Sequence, residues 1–284
     1  MRPHVAAVYA FARTADDFAD EDGLTLPERH ALLDDWHARL MRAAGKSADV
    51  APGLQSRRTR ESRHTPIDPD LVFEALGDTI RTCSLDVTLF EDLLSAFRQD
   101  TVVTRYAAWE DVFDYCRRSA NPVGRLVLHI AGYRDAELEA GSDALCTALQ
   151  LTNFWQDLAT DVARDHVYLP AEDLHFFGVT EADIKALKPE KALRDLIRFE
   201  VARTRALYEK GRPLLDKLHR DLRLELTLIW LVGNTILDKI EAADYDVFTQ
   251  RPTIRRRDQA VIMARAAKEW ATHLDLKALK ALWP

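Results

Sequence analysis

The chain has 284 residues, 47% hydrophobic and 30% charged, which is enough apolar material for a large core and too much for a disordered chain. Its formal net charge of −7 argues against a nucleic-acid binder, which normally carries a basic domain. Three cysteines (Cys83, Cys116, Cys146), far apart and without a CxxC spacing, exclude a disulfide framework and a cysteine-based zinc site.

No apolar run approaches the roughly 20 residues that a membrane-spanning helix needs, and the start shows no signal peptide. The expected location is cytoplasmic, with peripheral contact at the inner membrane left open. Helix-like sequence begins at Val5–Ala12 and turns acidic after Arg13. Apolar residues then recur every three or four positions through Leu32–Leu40, Leu71–Ile80, Leu89–Phe97, Val112–Ile130 and Leu145–Val162. A last stripe runs through Leu215, Leu218, Leu222, Leu226, Ile229 and Val232. Ala44–Pro69 lacks a stripe and carries Pro52, Gly53, Arg57, Arg58, Arg60 and Arg63, so it reads as a solvated polar linker. Tyr168–Val179, with Pro170 and Gly178, ends the helix before it. Strand alternation is not visible. No two of the ten glycines are closer than eight residues, so neither a GxGxxG turn nor a P-loop can be built. The expectation is an all-α helical bundle of about ten helices, a single domain over residues 1–284.

Two acidic segments stand out. Asp16 and Asp20 are four apart, so on a helix both carboxylates project from one face; Asp157 and Asp161 repeat that spacing, with Gln150 and Asn153 on preceding turns. The spacing alone carries no weight, because thirty aspartates give about three such pairs by chance and the chain has three. Taken singly, each run reads as a solvated helix face. Context shifts that weighting: both segments lie in strongly apolar helices, and a one-sided acidic stripe on such a helix tends to line a cavity in the bundle core. Carboxylate oxygens suit Mg²⁺, a hard ion that keeps several waters and is completed by substrate phosphate.

The run Tyr9-Ala-Phe-Ala-Arg13-x-x-Asp16-Asp17-x-x-Asp20 resembles the first aspartate-rich motif of the squalene/phytoene synthase family. Gln150-x-x-Asn153 through Asp157-x-x-x-Asp161 to Val167-Tyr168-Leu-Pro170 resembles the second, and Tyr115-Cys-Arg-Arg-Ser119 through Val123-Gly124 resembles the central helix. Ala96–Asp100 and Thr104–Tyr106 fit the same pattern, so the likeness covers essentially the whole chain. The Asn121-Pro122 and Thr152–Asp157 wording looks most like bacterial hydroxysqualene synthases of hopanoid biosynthesis.

That resemblance implies an isoprenoid-synthase-type fold with a central apolar cavity. It implies conversion of presqualene diphosphate and water to hydroxysqualene and diphosphate. Asp16, Asp20, Asp157 and Asp161 would hold two or three Mg²⁺ ions, meeting across that cavity. Arg13, Gln150 and Asn153 would contact the diphosphate, and Tyr9, Tyr115 and Tyr168 would line the site. A prenyl diphosphate is then the substrate, other hopanoid-pathway enzymes are candidate associates, and no nicotinamide cofactor is expected because water captures the cation. The rivals are presqualene diphosphate or phytoene synthase, a class I terpene cyclase, and a non-catalytic family member acting as an assembly or binding protein. Residue by residue, Tyr9 and Tyr115 are more often core packing, and Arg117-Arg118 reads as a solvated pair. The basic run Arg251, Arg255, Arg256, Arg257 is open between flanking the diphosphate, reaching a membrane and being solvated.

Four departures accompany the likeness. Gln156 stands where carotenoid-forming members have arginine, and His166 replaces a basic residue two positions before Tyr168. A tyrosine that several members place late in the chain falls at Gly233. Met1 stands at the start of the first motif's helix, whereas members normally carry about twenty further residues before it, so a missing N-terminal helix is expected.

Overall fold

The computed structural model describes residues 1–21, 23–46, 68–249 and 251–272. Among these residues there are helices and no strands, only an isolated bridge between Arg105 and Val167. In chain order the helices are α1 (Arg2–Asp20), α2 (Leu26–Ala43), α3 (Pro69–Cys83), α4 (Thr88–Asp100), α5 (Trp109–Ser119), α6 (Asn121–Ile130) and α7 (Ala136–Ala163). There follow α8 (Ala171–Phe177), α9 (Glu181–Lys185), α10 (Lys191–Lys217), α11 (Arg220–Ala242) and α12 (Arg256–Thr272). Of the linker expected over Ala44–Pro69, residues 47–67 lie outside the described residues.

Two of the expected stripes divide. Val112–Ile130 is interrupted at Ala120, where Asn121-Pro122 opens α6: proline lacks the N–H that a continuing helix needs and suits a first turn. The stripe from Leu215 to Val232 breaks at Leu218-His219, both extended, although no proline or glycine stands there. Leu215, Leu218 and Leu222 are all buried, so the apolar spacing continues across a break that periodicity cannot register.

The described residues form two compact units. The first comprises Met1–Val103 and Arg117–Asp135. Its helix starts are locally encoded: Glu28 accepts both the backbone N–H (2.8 Å) and the hydroxyl (2.7 Å) of Thr25, and Asp68 accepts from Asp70 N (2.9 Å) ahead of Pro69. α1 is anchored by Phe11, fully buried, with ring centroids 5.4 Å from Phe90 and 6.0 Å from both Trp36 and Phe73. Trp36 Nε1 donates to the Phe11 carbonyl (3.2 Å), so the indole brings no unsatisfied donor into the core. Arg118 is half-buried, and its guanidinium donates to Ser95 Oγ (2.9 Å) and Gln99 Oε1.

The second unit comprises Thr104–Cys116 and the chain from Ala136 onward. Its centre is the α7–α10 pairing. Trp155 Nε1 donates to Thr204 Oγ1 (2.8 Å), and the hydroxyls of Thr152 and Tyr208 meet at 3.0 Å, all fully or nearly fully buried. α11 closes over them at Gly233, where a Cβ would stand 1.9 Å from the Tyr208 hydroxyl. Position 233 therefore carries no side chain, and a tyrosine from α10 fills the space beside it.

Candidate functional site

In the first unit, helical spacing puts Tyr9, Arg13, Asp16 and Asp20 along one face of α1, while Val8, Phe11, Ala15 and Ala19 are buried. Arg13 spans two carboxylates, donating to Asp16 Oδ2 (2.9 Å) and meeting Asp17 Oδ1 at 2.6 Å. Asp16 is half-buried, and that burial, with Asp20 beside it, pushes its carboxyl up to about 6 despite the opposing pull of Arg13. This face is short of positive charge. Tyr9 is 67% exposed, so it is not core packing among the described residues.

In the second unit, α7 presents Gln150, Asn153, Asp157 and Asp161 on one polar face, three or four residues apart, while Leu151, Thr152, Phe154, Trp155 and Leu158 are buried. Asp157 is paired: Arg251 Nη2 donates to its Oδ2 (3.0 Å) and Arg251 Nε to its Oδ1. Asp161 also feels that guanidinium. Gln156 donates to the carbonyl of Pro252 (2.6 Å), the residue after Arg251.

Beside the acidic face stands an aromatic cluster. The Tyr168 ring lies flat on Phe154, with centroids 3.6 Å apart and planes 6° from parallel, and His166 covers it at 4.2 Å. Tyr115 and Tyr106 flank Tyr168 at 5.8 and 5.6 Å. The segment carrying Tyr168 is clamped. Val167 N donates to Thr104 O (3.0 Å), Ala171 N to Tyr106 O (2.9 Å), and Arg105 to both Asp165 (2.7 Å) and Glu181 (2.9 Å). Burial and the Arg105 charge push His166 down to about 4, so it is neutral at pH 7.

The structure thus brings together Gln150, Asn153, Asp157 and Asp161, and separately Tyr115 with Tyr168. Sequence reasoning left out Phe154, and left Arg251 among open alternatives. Phe154 lies one helical turn before Asp157, so its place was legible, but Arg251 is 94 positions from Asp157 and no local signal links them.

Each carboxylate pair fits a hard divalent ion in donor chemistry. At Asp157 the protein already supplies a cation of its own. Among the described residues no three of His, Cys, Asp or Glu converge as a ready-made cage, so an ion here would take its remaining ligands from water and substrate phosphate.

Comparison with known proteins decides the family, because the squalene/phytoene synthase profile matches residues 1–258. The chain belongs to the squalene/phytoene synthase family. It is 34% identical over 263 residues to a phytoene synthase of Arthrospira platensis, covering 88% of this chain and 78% of that protein. It is 32% identical over 247 residues to a hydroxysqualene synthase of Zymomonas mobilis, covering 86% and 75%. The crystal structure of squalene synthase HpnC from Alicyclobacillus acidocaldarius superposes with a TM-score of 0.74 at 40% identity, covering 86% of this chain and 84% of that one. A dehydrosqualene synthase solved with a ligand shares the fold, with a TM-score of 0.78 at 24% identity over 95% and 87%. The expected all-α isoprenoid-synthase-type fold is therefore the observed one, and the family is one of prenyl diphosphate-processing enzymes. No described helix is long and apolar enough to cross a membrane.

Proposed function

We propose that this squalene/phytoene synthase family member is a Mg²⁺-dependent hydroxysqualene synthase, converting presqualene diphosphate and water to hydroxysqualene and diphosphate. The observation that carries this reading is the adjacency, on α7, of an acidic face to the Phe154–Tyr168 stack. One side suits a metal-bound diphosphate and the other suits a carbocation, whose attraction to an aromatic face is worth about 0.5–2 kcal/mol within about 6 Å. Identity to named hydroxysqualene synthases supports the choice within the family.

Asp16 and Asp20, and separately Asp157 and Asp161, serve as carboxylate ligands. Bound Mg²⁺ would neutralise charge building on the departing oxygen. Gln150 and Asn153 orient the diphosphate, and Arg251 passes from Asp157 to the leaving group. The C–O bond breaks with its electron pair going to diphosphate. Tyr115 and Tyr168 line the site of the resulting cation, water adds through oxygen, and a proton is lost. The phytoene synthase likeness keeps one second reading, a synthase that joins two prenyl diphosphates.

Incubation of the purified chain with presqualene diphosphate and Mg²⁺, with the lipid product identified by mass spectrometry, tests the proposal. Hydroxysqualene is expected. Formation of presqualene diphosphate or phytoene from prenyl diphosphates, with presqualene diphosphate left unhydrated, moves the assignment to the second reading. No turnover of any of these substrates refutes both.

A further inference from the structure

Arg105 has every donor engaged within the protein. Its Nε donates to Glu181 Oε1 (2.9 Å), Nη1 to Thr104 O (2.8 Å) and to the Asp165 carbonyl, and Nη2 to Asp165 Oδ1 (2.7 Å) and Glu181 Oε2 (3.3 Å). A guanidinium carries its N–H groups in a rigid fork, so bonds from all three nitrogens leave the head one arrangement. Two of these bonds grip a single residue, Asp165, by its backbone and its side chain together.

Asp165 stands in the turn between the end of α7 and Val167, with φ 58°, in the left-handed region. Aspartate enters that region more readily than most residues, but only where neighbouring contacts favour it. Beyond the turn the chain is bracketed: Val167 N donates to Thr104 O (3.0 Å) and Ala171 N to Tyr106 O (2.9 Å), so Tyr168 lies between two fixed points. The buried Tyr106 ring, next to Arg105, flanks Tyr168 at 5.6 Å. Lys185 also meets Asp165 (3.2 Å) and Glu181 (3.6 Å). Loss of Arg105 therefore leaves Asp165 a cationic partner but removes the bond to its carbonyl, the one that fixes the backbone.

We propose that Arg105 is a positioning residue for the reaction: through Asp165 it fixes where the Tyr168 ring stands beside the cation, and so sets the turnover rate. This rests on the placing of Tyr168 at the cation site under the proposed function. Because Arg105 acts through that ring, its loss costs no more than the ring contributes, about 2- to 30-fold in rate. The loss falls on kcat, since the cation exists only once the diphosphate is leaving, while Gln150, Asn153 and Asp157 keep KM.

The test pairs steady-state kinetics with fluorine NMR of the full chain labelled with fluorotyrosine, the Tyr168 signal being the one that Tyr168→Leu removes. Arg105→Gln should lower kcat about ten-fold with KM within about two-fold, and should move the Tyr168 signal. Arg105→Lys keeps the charge but not the fork, and should restore part of both. In a Tyr168→Leu background, Arg105→Gln should cost less than about two-fold, because the group it places is gone. Arg194→Gln removes a similar lock, on the carbonyl and carboxylate of the left-handed Asp244, and should leave kcat and the Tyr168 signal as in the parent. A parental kcat or an unmoved Tyr168 signal in Arg105→Gln, an equal loss with Tyr168 already replaced, or a matching loss in Arg194→Gln would each overturn the inference. The kinetics use whichever prenyl diphosphate the parent consumes and the spectra need no substrate, so a parent that leaves presqualene diphosphate unconverted counts against the proposed function alone.

Discussion

Replacing Gly233 by alanine tests how α7, α10 and α11 close together. The added methyl would lie 1.9 Å from the Tyr208 hydroxyl and 2.7 Å from Cζ, both far inside contact distance. Tyr208 cannot give way cheaply, because it is fully buried and its hydroxyl meets Thr152 Oγ1 at 3.0 Å. Moving the phenol forfeits that hydrogen bond, about 1 kcal/mol, and forces strain into a packed core, about 1–3 kcal/mol. The combined cost is about 3 kcal/mol, or roughly 6–12 °C of melting temperature for a chain of this size. Thermal melts and urea titrations of Gly233→Ala, Tyr208→Leu and the double variant provide the assay. The single alanine should be the damaging change. In the double variant the alanine should add less than about 1 kcal/mol to the cost of Tyr208→Leu, because the obstructing ring is gone. Tyr208→Phe should rescue only in part, since Cζ still stands too close. A Gly233→Ala protein that melts with the parent would refute the placement of Tyr208 at Gly233.

Three other outcomes follow from the same structure. Glu200 is fully buried, and burial pushes it up to about 8, with Arg203 (3.6 Å) opposing and a hydrogen bond shared with Asp173 adding to the shift. It is therefore held protonated when folded but ionises above about 4.5 when unfolded, so stability falls as pH rises from about 4.5 towards 8. Glu200→Gln should flatten this slope in denaturation measured from pH 4.5 to 8.5, and parallel pH profiles for the two proteins would count against it. Asp157→Asn should lower turnover by about two to three orders of magnitude with little change in melting, and unaltered kinetics would remove Asp157 from the metal site. Arg251→Gln should tighten Mg²⁺ binding in the absence of diphosphate up to about five-fold, as suits a partly exposed ion pair. A calorimetric titration indistinguishable from the parent's would show that Arg251 does not compete with the ion.

What the sequence determined by itself is what short-range geometry carries. A helix repeats every 3.6 residues, so Tyr9, Arg13, Asp16 and Asp20 on one face, and Gln150, Asn153, Asp157 and Asp161 on another, follow from spacing once the apolar positions declare a helix. Proline at position 122 likewise marks the start of α6, although the stripe on either side runs through it. The break at Leu218-His219 left no such mark, because both flanking turns still bury leucines at helical intervals.

Tertiary structure decided the contacts between distant positions. Arg251 on Asp157, the clamp of Arg105 on Asp165 that holds Tyr168 over Phe154, and Tyr208 filling the space at Gly233 each join side chains whose separation along the chain has no period. Their positions depend on how helices of the second unit pack, and packing is set by the sum of many weak contacts rather than by any local rule. The identity of the acidic faces is thus a property of the helix, whereas the charge, stacking and room around them belong to the folded chain.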